Sequence, residues 1–221
     1  MQRQQKLATI ISELKSHAPF TLFGASTGIV CMLLFKNLEH ETSYRMFYVF
    51  HPAHVVLSAM VTATIFQLHT KRPKFIVVLL VGFFGSIGIA TLSDSLIPHL
   101  GELLLGMHVN IHSHEHTGFA EQAHVGFIEG WYLVIPAAIA GVLIAYFRPK
   151  TKFPHAGHVL LSMWASSFHM LMAMGGQLST WRLVSSFGFL FLAVWLPCCI
   201  SDIIFPLLFV KSPADSLYVH H

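Results

Sequence analysis

The chain has 221 residues, of which 54% are hydrophobic, 13% aromatic and only 10% charged, with a formal net charge of +3. Such a composition excludes an ordinary water-soluble domain, and a charge this small gives no sign of a nucleic-acid partner. The length allows about six spanning helices of roughly 20 residues each, so the reading is an all-α, polytopic integral membrane helical bundle whose first partner is the lipid bilayer.

Residues 1–17 are too polar for a cleavable signal and read as a short amphipathic interfacial helix. A transmembrane domain is predicted over 18–210, with spans at about 18–35, 46–69, 75–97, 124–147, 155–176 and 183–209. A tail, 211–221, follows. Its terminal His220 and His221 have the look of a tag remnant and are left out of the ligand count.

In the first span Gly24 and Gly28 are spaced for close helix packing, as are Gly82, Gly85 and Gly88 in the third. The second span opens with HPAHVVLSAM, which puts His51 and His54 one turn apart on one face, with Ser58 a turn further on. Two histidines at this spacing can share one metal ion; the alternative is a pair of interfacial imidazoles bonded to carbonyls or headgroups. The third span ends in TLSDSLIPHLGE, where Ser93, Asp94, Ser95, Pro98, His99 and Glu102 predict a broken helix or re-entrant half-turn. On an unbroken helix Thr91, Ser95, His99 and Glu102 share a face, and Asp94 points about 140° away from His99. Asp94 is either a ligand or the cap of a following half-helix.

Between the third and fourth spans, residues 108–124 read HVNIHSHEHTGFAEQAH, which includes His108, His112, His114, Glu115, His116 and His124. This stretch is expected to be a capture loop for cations or protons. In the fourth span Glu129 follows His124 and precedes Trp131 and Tyr132, an aromatic pair typical of the interface. The fifth span carries His155, His158, Ser162, Ser166 and His169 as one polar stripe, either a water-lined path or a seam of interhelical hydrogen bonds. The sixth contributes Cys198, Cys199 and Asp202, thiol and carboxylate in one turn, while Cys31 is a lone apolar-stretch cysteine and no disulfide framework exists.

Six spans place both termini on one side. Arg3, Lys6, Lys15, Lys71, Arg72, Lys74, Arg148, Lys150, Lys152 and Lys211 then share that side, against Lys36, Arg45 and Arg182 opposite, which predicts cytoplasmic termini, with a bacterial inner membrane as the expected setting. Arg-Pro-Lys at 72–74 recurs at 148–150 and suggests a duplicated hairpin.

On this topology His51, His54, Asp94, His99, Glu102, His124, Glu129 and His169 form an outer group, and His155, His158, Cys198 and Asp202 a weaker inner one. These are the ligand types of zinc and its first-row neighbours. The leading expectation is a permease or channel for divalent transition-metal cations, zinc first. A metal-dependent membrane enzyme, either a zinc hydrolase or a di-iron oxidoreductase, is the second reading. The third is a haem electron-transfer protein with His51 or His54 and His169 as axial ligands. A homo-oligomer is compatible with all three. The chain lacks the His-x4-Asp-His pattern of nickel and cobalt permeases, and its His-x-x-His pairs do not match the longer histidine boxes of membrane desaturases. Its histidine-rich loop resembles those of zinc transporters in composition only.

Overall fold

The computed structural model describes residues 2–106, 126–149, 152–174, 179–199 and 205–209, which form helices and connecting turns with no strand among them. His108, His112, His114, Glu115, His116, His124 and Asp202, and the side chain of Cys199, lie outside the described residues.

Helix α1 is continuous over Gln2–Phe35, although its opening turns are polar enough to suggest a separate surface helix. Its apolar part, His17–Phe35, is long enough to cross a bilayer. Helix α2 follows at His40–Leu68. Helix α3, Phe75–Thr91, passes through one π turn, Leu92–Leu96, into α4, Ile97–Leu104. A break was expected here, yet Phe75–Leu104 is a single 30-residue helix. The wide turn explains why Pro98 does not interrupt it. Ile97 N–H reaches five residues back to the Leu92 carbonyl, and Pro98 then sits in the first turn of α4, where a missing N–H is tolerated.

A single turn, α5 (Gly126–Glu129), ends at Gly130, and α6 (Trp131–Phe147) begins. The Tyr48 ring occupies the place where a Cβ on Gly130 would project, 2.5 Å from its Cε1. Helices α7 (Lys152–Met174), α8 (Thr180–Cys199) and the short α9 (Phe205–Leu208) complete the described chain. Among the described residues four helical stretches are long and apolar enough to span a membrane: His17–Phe35, His40–Leu68, Phe75–Leu104 and Thr180–Cys198, with Trp131–Phe147 a shorter apolar helix.

Helix α2 is the centre of the bundle and packs on α7, α6 and α3, while α1 lies on α7 and α8. The α2–α7 pair is antiparallel. His40 meets the Met172 carbonyl at 3.3 Å, Phe47 meets His169, Phe50 meets Phe168 and His54 meets His158. By contrast α6 runs parallel to α2, since Gly130 touches Tyr48 and Gly141 touches Val56 and Ala59.

Small residues set these distances. A Cβ on Gly24 would come to 3.2 Å from Met163 Cγ, on Gly28 to 2.8 Å from Ser167 Oγ, and on Gly82 to 2.6 Å from Val142 Cγ2. Gly88, by contrast, faces open space. At Gly141 the obstacle is the backbone carbonyl of Val56, which cannot rotate aside as a side chain can. Gly141→Ala must therefore push α6 off α2. The expected cost is that of overpacking, about 1–3 kcal/mol, read as a lowered unfolding midpoint in detergent, whereas Gly88→Ala should leave it unchanged.

Candidate functional site

The π turn brings Asp94 into the centre of the bundle, where it is completely buried. A carboxylate in such surroundings is sustained only if its lone pairs are taken up. Here they are. His51 and His54 donate their Nδ1–H groups to Oδ2 at 2.9 and 2.7 Å. The Ser93 and Ser162 hydroxyls each lie 2.7 Å from Oδ1 and donate to it. One turn along α7, Ser166 donates to the Ser93 carbonyl at 2.9 Å. The serine face of α7 is thus a seam of hydrogen bonds to the π turn.

Because a carboxylate accepts at Nδ1, each of the two imidazoles, when neutral, carries its lone pair on Nε2. Both Nε2 atoms are buried and make no hydrogen bond, as does Ser58 Oγ one turn further along α2. This is the tautomer and orientation in which histidine binds metal, with the second ring nitrogen held by a carboxylate. The two rings converge on one oxygen through Nδ1, so their Nε2 atoms point away from it to different places. His51 Nε2 is turned toward Gly126, where a Cβ would come within 2.6 Å of it. The His54 ring is stacked near His158, with centroids 5.8 Å apart.

From that contact a file of imidazoles continues through the bundle. His158 meets His155 at 5.2 Å and His155 meets His17 of α1 at 4.6 Å between centroids. His17 was not singled out from the sequence, since nothing in the local pattern of α1 sets it apart. Only the parallel packing of α1 on α7 joins it to the others.

A second carboxylate cluster lies beyond His51. Glu102 of α4 accepts from His169 Nδ1 at 2.7 Å and from His99 Nδ1 at 3.3 Å. Its imidazoles are separated from the first cluster by Phe47, which is stacked on His51 at 5.1 Å and edge-on to His169 at 5.5 Å. The space in which His51 and His169 would flank a macrocycle is therefore filled by a phenyl ring. A third acid, Glu129, accepts from Tyr48 at 2.8 Å, with Tyr44 at 3.5 Å. It is the last residue of α5, just before α6.

The eight outer candidates are accordingly distributed. His51, His54 and Asp94 meet directly; His99, Glu102 and His169 form their own triad; Glu129 is held by tyrosines; and His124 lies outside the described residues. Of the inner candidates His155 and His158 are in contact with each other, and Cys198 is buried in the apolar cluster with Leu190 and Val194. Among the described residues no group of three or more His, Cys, Asp or Glu side chains is arranged to hold a metal ion. No protein-family model, no curated protein and no solved structure matches the chain.

Asp94→Ala would strand two N–H donors and two hydroxyls in the bundle core, each costing on the order of 1–3 kcal/mol. Asp94→Asn keeps an oxygen for the imidazoles, and its amide can donate to serine oxygens that are free to rotate. Thermal unfolding in detergent should therefore show the alanine variant losing several times more stability than the asparagine variant; equal losses would contradict this hydrogen-bond assignment.

Proposed function

We propose that the protein is a membrane permease for divalent transition-metal cations of the zinc class. One observation carries the reading: a file of imidazoles, His51, His54 and His158 buried and His155 partly buried, runs through the bundle past a carboxylate that orients its first two members. Imidazole is a ligand for this group of metals, and the file offers it repeatedly along one line.

The divergence of the two Nε2 atoms favours passage over retention. A resident catalytic zinc takes three protein ligands and keeps one open position. Ligands presented one after another, with water completing each coordination shell, bind well enough for entry and weakly enough for exit. The negative charge of Asp94 compensates a cation at either imidazole without being a ligand itself. In the same reading the lysine- and arginine-rich turns and both termini face the cytoplasm.

The test is flux of zinc into proteoliposomes containing the purified protein, followed with an internal fluorescent chelator. Asp94→Asn, which is expected to remain folded, should lower flux about 10- to 100-fold, the usual effect of losing the carboxylate behind a metal-binding histidine. Wild-type rates no higher than those of empty liposomes would refute the permease reading, as would unaltered flux in Asp94→Asn.

A further inference from the structure

The segment His51–Ser58 reads H-P-A-H-V-V-L-S, and His155–Ser162 reads H-A-G-H-V-L-L-S. Both are H-x-x-H-V-x-L-S. A second pattern, Ser-Asp followed by three residues and Pro, occurs at Ser93–Pro98 and again at Ser201–Pro206. The two patterns recur in the same order and at nearly the same separation. Arg-Pro-Lys, by contrast, follows the first H-x-x-H copy and precedes the second, so it does not share the period.

The packing repeats as well. In chain order α1, α2 and α3 make one unit and α6, α7 and α8 the other. In each unit the first helix lies on the second helix of the other unit and runs parallel to it: α1 on α7, α6 on α2. Equivalent glycines make these contacts. Gly24 of α1 abuts Met163, and Gly141 of α6 abuts Ala59, and Met163 and Ala59 are the residues that follow the serine in the two motif copies. The two motif helices cross antiparallel, so that His54 meets His158 and Leu57 meets Gly157. A unit with an odd number of spans inserts its duplicate upside down, which is the arrangement of inverted-repeat transporters.

We propose that the chain is an inverted repeat of two three-helix units, and that the second motif copy makes a second cation station on His155 and His158, facing Ser58, as the counterpart of His51 and His54 facing Ser162. The exchange of serines is what a twofold axis between antiparallel helices requires. Ser162, from the second copy, reaches across to the Asp94 station. Ser58, from the first copy, is its equivalent, is 1% exposed, and its hydroxyl has no hydrogen-bond partner. A buried hydroxyl left unpaired there is free to take up a ligand or its water. The sequence counterpart of Asp94 is Asp202, outside the described residues.

This inference rests on the permease reading for the identity of the ion, and it is tested separately from it. Zinc binding to the purified full-length protein in detergent is measured by equilibrium dialysis, with melting curves confirming that each variant is folded. Two equivalents are expected for the wild type. His51→Gln and His155→Gln should each remove one and leave the other; at His51 glutamine keeps an N–H donor for Asp94. One equivalent in the wild type, or loss of both in either histidine variant while the fold is retained, would overturn the second station. Flux with a single bound equivalent would sink the second station and keep the permease. Two equivalents without flux would do the reverse.

Discussion

Asp94 is the constraint to which the rest of the bundle answers. A fully buried carboxylate among apolar helices is stable only when its oxygens are saturated, and the donors that saturate it come from three places: the π turn itself, two turns of α2, and the serine face of α7. Satisfying one side chain therefore fixes three helices against each other at one point. The glycines on α1, α3 and α6 serve that point indirectly, because they let the surrounding helices close in on α2 and α7 without displacing them.

The imidazoles inherit their orientation from this arrangement. With Nδ1 committed to Asp94, His51 and His54 have no freedom to turn their Nε2 atoms toward one another, and the pair becomes two successive positions along α2. The antiparallel crossing of α2 and α7 then extends the line, since a helix carrying the same motif in the opposite direction presents His158 where His54 ends and His155 beyond it. A polar file through the membrane thus results from two local rules, one hydrogen-bonded carboxylate and one inverted crossing.

The helical membrane class was legible in composition alone, and so was the candidate set, because ionisable groups inside apolar runs stand out wherever they fall. Which of them meet was not. Periodic spacing places residues on a face only while 3.6 residues make a turn. The π turn alters that count. Asp94 and Glu102 are eight residues apart, which on a regular helix separates them by about 80°, yet Asp94 bonds Ser162 and Glu102 bonds His169, two turns apart on the same helix α7. Pro98 was read as a break, and the wide turn instead absorbs it. Pairings between distant helices, such as Glu129 with Tyr48 or His17 with His155, leave no local trace at all. Arg-Pro-Lys recurs at a shorter spacing than H-x-x-H-V-x-L-S does, and only the latter falls within helices that pack on each other.

The composition of α7 bears on how the protein reaches its folded state. This helix carries three histidines and three serines within its Lys152–Met174 span, and most of them are buried against α2 and the π turn; among the described residues it is not one of the stretches apolar enough to cross a bilayer by length and composition. Each polar group it brings is unfavourable in lipid on its own. Its stable residence in the membrane depends on partners already waiting, above all Asp94 and the imidazoles of α2. The helices that supply those partners, α2 and α3, precede α7 in the chain, so they are made before the polar groups that need them.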